Sequence, residues 1–286
     1  MMSSEWIRKP LRFVPLLFIL ILSTSFSQLW AEEANFRARA HHDLSTVNSV
    51  EDVEAEIKFG KTIAARILGQ FSLYEDKSLH HYVNLVGNSL AINSSRDDIQ
   101  FHFAVLDSEL INAYSTPGGY VFITKAAIRA MQDESELAAV LAHEIAHISQ
   151  KHIVKEFKIK GSEKSATAGV TRLLGSSQSS TKVLFTKAVD NAVKKLLSVG
   201  FKEIDELEAD KTALLLLAST GYDPNSLSRY LGRIKKLKTS SHGKHKPTHP
   251  PTNTRINTLA HIARSEQLDN LKFPRVAIRF AKYSLK

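Results

Sequence analysis

The sequence predicts an α+β domain, mainly α, with a small β-sheet packed beside one histidine-bearing helix. Three observations carry this expectation. Apolar residues recur at helical spacing in "VEAEIKFGKTIAARILGQF" (53–71) and "DKSLHHYVNLVGNSLAI" (76–92). A strand pattern follows, in which Ile99, Phe101, Phe103 and Val105 alternate with less apolar neighbours. Finally, "INAYSTPGGYVFITKAAI" reads as strand, Pro-Gly-Gly turn, strand and helix start, immediately before the run "DESELAAVLAHEIAHISQKH".

The elements follow in order. Residues 1–31 read as a secretory signal peptide: Arg8, Lys9 and Arg12 precede the apolar core "FVPLLFILIL" (13–22), and a small polar stretch follows. Cleavage is expected after Ala31 or Ser27, with an uncleaved N-terminal anchor as the alternative. Residues 32–50 are a polar, flexible leader, and 51–286 the folded domain. The histidine helix opens at Asp133 or Ser135, with acidic residues in its first turn, and is expected to run over about 134–154. The Ser-, Gly- and Thr-rich segment 160–181 reads as a lid or a plain flexible loop. Helices follow near 182–199 and 202–219, the second ending at Gly221, and then over "DPNSLSRYLGRIKKLK". The stretch 239–255 reads as a loop, 252–265 as a helix, and the tail "RVAIRFAKYSLK" as a final strand.

Composition closes several routes. The chain has no cysteine, so it carries no disulfide framework, thiolate metal site, cysteine nucleophile or lipid-bearing cysteine. No stretch beyond the signal is apolar for long enough to span a bilayer. Removing Glu5, Arg8, Lys9 and Arg12 with the signal lowers the net charge from +9 to +7. In an exported chain this basic balance suits contact with an anionic membrane surface; no nucleic-acid partner is expected.

His143 and His147 stand four apart on a helix, one turn apart on the same face, where two imidazoles can reach one zinc ion at about 2.0–2.1 Å. Glu144 lies roughly 100° around that helix and can reach a water bound to the metal. Two ligands and a general base are the parts of a metal-activated water. A catalytic zinc takes a third protein ligand. His152 does not suit, because it continues along the helix away from the pair and is expected to be a solvated helix-end histidine. "FKEIDELEAD" (201–210) is the other source, and spacing alone leaves Glu203, Glu206 and Glu208 open. Glu206 and Asp210 head a core-facing stripe, where carboxylates are costly unless they meet a cation or a donor. A ligand at Glu206, with Asp210 accepting from a ligand imidazole, would satisfy both.

"HEIAH", "FKEIDELEAD", "NAYSTPGGYVFIT" and "THPPTNTRI" occur in the order found in zinc metallopeptidases related to HtpX and the CAAX prenyl proteases. The chain resembles their soluble periplasmic, BepA-like or LoiP-like branch over about residues 50–265. The resemblance implies a zincin-like fold and one Zn2+ held by His143, His147 and Glu206. It makes Glu144 the general base and Asp210 the carboxylate behind a ligand imidazole. It places Pro117, Gly118, Gly119 and Tyr120 at a strand edge that can take an extended substrate. His249 and Arg255 become candidates for a regulatory or transition-state role. Lys202 and Glu203 stand where the family has Ser-Arg, so nothing is expected of that arginine. The chain is expected to be a minimal catalytic domain without the helical repeats of larger members. The implied function is a zinc endopeptidase in periplasmic quality control, cutting unfolded or outer-membrane polypeptides. The alternative is a periplasmic chaperone or assembly factor that keeps the zinc site but cleaves little.

Overall fold

The computed structural model describes residues 49–161, 179–240 and 251–284. The signal, most of the leader, most of the Ser-rich segment and His249 lie outside the described residues. What is described is mainly helical with one small sheet, as the sequence implied.

Helix α1 (Val50–Leu68) starts where the Ser49 side chain accepts from the Asp52 amide. Helix α2 (Lys77–Ala91) is capped in the same manner by Asp76, which accepts from the Leu79 amide. Three strands follow: β1 (His102–Leu106), β2 (Ala113–Thr116) and β3 (Tyr120–Thr124). Their order is β1-β3-β2, with β1 parallel and β2 antiparallel to β3, so β2 lies at one edge of the sheet. The β2–β3 turn needs both of its glycines, Gly118 at φ 74° and Gly119 at φ 96°, where side chains are strained.

Alternation along the strands sorts the core into two halves. Phe103, Val105, Val121 and Ile123 join a cluster with α2 and the later helices. Tyr114, Phe122 and Leu106 face the opposite way, into a second cluster with α1. Gly60 of α1 makes that second contact close, since a β-carbon there would lie 1.6 Å from the Pro117 carbonyl oxygen.

After a short α3 (Lys125–Arg129), α4 (Glu134–Ser149) forms the centre of the molecule. Asp133 is its cap, accepting from the Glu136 amide at 2.9 Å. Every residue of α4 is buried, as an axial helix of a packed domain requires. The helix stops short of the expected position near 154. Lys151 takes a left-handed conformation (φ 56°) and the chain restarts as α5 (His152–Phe157). A lysine carries no sequence signal for that conformation, which glycine or asparagine would have given.

Helix α6 (Ser179–Lys194) continues into a π-helical turn, Lys195–Val199, and Gly200 leads into α7 (Glu203–Thr220). Gly221 ends α7 at φ 87°, and α8 (Ser226–Ser240) and α9 (Thr252–Ser265) follow. The tail, expected to be a strand, is instead a helix, α10 (Ala277–Tyr283). Its apparent alternation of Val276, Ile278 and Phe280 does not mark a buried face: Phe280 is buried, while Ile278 is 92% exposed. The Tyr283 ring holds this helix by stacking on Tyr82, centroids 4.8 Å apart.

Candidate active site

Helix α4 supplies His143, Glu144 and His147, and the adjacent α7 supplies Glu206 and Asp210. His143 Nε2 lies 3.1 Å from His147 Nε2 and 3.5 Å from Glu206 Oε2, and His147 Nε2 lies 3.6 Å from Glu206 Oε1. One ligand atom from each residue falls within 4.8 Å of the others, and all three side chains are buried. A tetrahedral ion with bonds of about 2.0–2.1 Å keeps its ligand atoms roughly 3.3 Å apart, so these three fit one small cation.

The charges around them fit as well. Among the described residues, Glu144, Glu206 and Asp210 are buried with one guanidinium beside them, that of Arg255 from α9. Three carboxylates against one guanidinium leave two negative charges, which a divalent cation balances if the imidazoles are neutral. Burial and Arg255 push the His143 imidazole down, yet hydrogen bonds to Asp210 and Glu206 outweigh them and hold it up at about 9. The pocket therefore attracts positive charge.

Arg255 donates to both oxygens of Asp210, Nε at 2.9 Å and Nη2 at 2.6 Å. Burial raises the Asp210 carboxyl, but the Arg255 charge and hydrogen bonds hold it below the usual carboxylate range. Asp210 in turn lies 3.0 Å from His143 Nδ1, which leaves His143 Nε2 for the cluster. Glu144 is positioned from the sheet: Ser115 of β2 donates to its Oε2 at 2.7 Å.

Among the acidic residues that spacing left open, Glu206 is fully buried in the cluster, while Glu203 and Glu208 are exposed. Arg255, a candidate for a transition-state role, sits behind His143 and is engaged by Asp210. The expected substrate edge, Pro117 to Tyr120, is largely covered in this structure. Pro117, Gly118 and Gly119 are buried beneath α1, with the Gly118 amide donating to Glu56 Oε1 at 3.2 Å, and Tyr120 stacks on His102. Strand β2 borders the site through Ser115, and Ser115, Thr116 and Pro117 line one small cavity with His147 and Phe201.

His152 departs from its expected place. It is buried, not solvated, because the break at Lys151 turns it back so that its Nδ1 lies 2.8 Å from His147 Nδ1. Burial pushes its imidazole below the usual value. Ser115 and Phe201 were not legible in advance. Phe201 stacks on the His147 ring at 4.0 Å and 17°, and its place directly before the acidic motif was the available signal.

The profile of peptidase family M48 matches residues 77–263. A beta-barrel assembly-enhancing protease of Yersinia pestis is 30% identical over 222 residues, covering 72% of this chain and 43% of that protein. Its counterpart in Escherichia coli K12 is 26% identical, covering 66% of this chain and 39% of that protein. The mitochondrial metalloendopeptidase OMA1 of Arabidopsis thaliana is 26% identical over 59% of this chain and 33% of its own length. The chain thus spans less than half the length of these relatives. On the extent of the profile match and the relation to the Yersinia pestis protein, the chain belongs to peptidase family M48, a metalloprotease family.

Proposed function

We propose that this protein is a zinc-dependent endopeptidase that cuts unfolded or unassembled cell-envelope polypeptides, with one zinc held by His143, His147 and Glu206. The observation that carries the reading is the convergence of those three buried side chains, one ligand atom each, beside the Glu144 carboxylate. Bound there, zinc supplies Lewis-acid polarisation of the scissile carbonyl and a water acidified toward neutrality.

The remaining work falls to the chain. Glu144 accepts the proton of the attacking water and delivers it to the leaving amine. Ser115 holds that carboxylate in one orientation through Oε2. Asp210, fixed by Arg255, keeps the His143 proton on Nδ1. Edge strand β2 offers a line on which an extended polypeptide can add as a further strand, with its scissile bond beside Glu144.

The bacterial relatives are named for enhancing β-barrel assembly, which supports outer-membrane proteins as the substrate class. Export to the periplasm rests on the signal-like residues 1–31. Among the described residues no helix is long and apolar enough to cross a membrane, and contact with a membrane surface would rest on the basic charge.

One observation favours a second reading, a chaperone or assembly factor that cleaves little. His143 and Glu144 are each 4% exposed and Glu206 is inaccessible, so little of the site's surface is open to a substrate. Zinc content and casein cleavage, measured together on wild type and Glu144→Gln, decide between the two. One zinc per chain with cleavage lost only in the variant supports the endopeptidase. One zinc with no cleavage in either favours the chaperone. No zinc in either refutes the metal site.

A further inference from the structure

We infer that His152, anchored by Glu208, is a positioning residue that fixes the tautomer and orientation of His147, as Asp210 does for His143. This rests on the zinc reading above.

The two histidines of α4 are supported differently. His143 Nδ1 faces a buried carboxylate, Asp210, at 3.0 Å. His147 Nδ1 faces another imidazole, His152 Nδ1, at 2.8 Å. Two ring nitrogens at that distance share one proton, so one is N–H and the other a lone pair. If His147 offers its Nε2 lone pair to the cluster with His143 and Glu206, its own proton is on Nδ1. His152 must then accept at Nδ1 and carry its proton on Nε2. That nitrogen lies 3.3 Å from Glu208 Oε2, an acceptor. One set of tautomers therefore satisfies every contact from the cluster out to Glu208, whose side chain is 47% exposed.

Local structure serves this chain of contacts. The left-handed Lys151 ends α4 and reverses the chain, which brings His152 back against a residue five positions earlier. Phe201 closes the arrangement from the other side, its ring nearly parallel to His147 and 5.8 Å from His152. The His147 ring is thus held by a flat apolar wall and aimed through its Nδ1 contact with His152. His152 is buried, so an aimless imidazole there would be costly; its two nitrogens both find partners.

The test uses the full chain and zinc itself, with affinity measured by competition against a chromogenic chelator. The variants are His152→Phe, which fills the space without an acceptor, and His152→Asn, whose Oδ1 can take the place of Nδ1. His152→Phe is expected to weaken zinc binding by about 10- to 100-fold, and His152→Asn by less than about tenfold. The d–d absorption of the cobalt(II)-loaded protein should change in the first and stay close to wild type in the second. Equal affinity in wild type and His152→Phe, or equal loss in both variants, overturns the inference, because packing alone would then account for His152. Should either variant fail to fold, Glu208→Ala alters an exposed carboxylate and leaves the core intact. It should weaken zinc binding by a smaller factor, and unchanged affinity there overturns the inference. A wild type that binds no zinc refutes the metal reading itself, whereas zinc bound normally in every variant refutes only the role of His152.

Discussion

Helix α4 buries carboxylates at both ends and surrounds them differently. In its first turn Glu134 accepts from Tyr82 and Tyr222, each at 2.8 Å, and from the Arg279 guanidinium on both oxygens. Toward its last turn Glu144 lies in a pocket shared with Glu206, where the neighbouring ring nitrogens of His143 and His147 can present lone pairs instead of protons. Both ends are buried, yet one is a donor-filled knot that holds α2, α10 and the turn after α7 to the helix. The other gathers more acceptors than donors, with Ser115 and Arg255 as its donors, and would suit a cation. What distinguishes a functional cluster from a structural one is therefore the ratio of donors to acceptors, not burial or acidity.

The comparison can be broken or sharpened by substitution, beginning with the largest effect. Glu144→Gln should lower peptide cleavage by at least about 10²-fold while zinc remains bound, since it removes the proton acceptor and no ligand. Normal cleavage by the zinc-loaded variant would sink the assignment. Next, Asp210→Asn leaves the His143 imidazole with an uncharged partner and should weaken zinc affinity by about 10- to 100-fold, read by chelator competition.

At the other end, Glu134→Ala strands the buried Tyr82 and Tyr222 hydroxyls. The expected loss is about 2–3 kcal/mol of folding stability, measured by urea unfolding, with zinc affinity unchanged. A fall in zinc affinity instead would show the two ends to be coupled. The acid limb offers a finer reading. Burial raises the Glu134 carboxyl, but hydrogen bonds from Arg279, Tyr82 and Tyr222 outweigh it, so its folded value lies below the ordinary 4.5. A group depressed on folding contributes its full stability above the unfolded value and loses it as pH falls through the folded one. Glu134→Gln should therefore flatten the decline in stability below about pH 4.5. The smallest effect is expected from Ser115→Ala, which removes one donor to Glu144; cleavage should fall by about tenfold or less, with zinc affinity intact.

The side chains that converge at the proposed metal end could be picked out in the sequence because their pattern is local. His143, Glu144 and His147 announce themselves by helical spacing, and Glu206 with Asp210 by the cost of acids on an apolar stripe. The donor-filled end was not legible. Glu134 reads as an ordinary acidic first-turn residue, and its partners lie 52, 88 and 145 positions away. His152 was misread for the same kind of reason: its surroundings depend on a backbone reversal at Lys151 that no residue type signals. The Pro-Gly-Gly turn was rightly placed, but its burial follows from the bare Gly60 on a helix far upstream. The tail shows the reverse error, an alternation taken for a strand where a single buried ring, Phe280, holds a short helix.

The burial of α4 on every side has a consequence for how the protein is made. His143 and Arg255 are 112 residues apart, and Glu206 and Asp210 emerge between them. During synthesis the histidine helix leaves the ribosome long before the segments that cover it and complete its charge balance. A nascent or truncated chain ending before α9 would hold the histidines and Glu144 without Arg255 to fix Asp210. Affinity for the metal would thus reach its full value last, only after the C-terminal half has folded back and Arg255 has fixed Asp210.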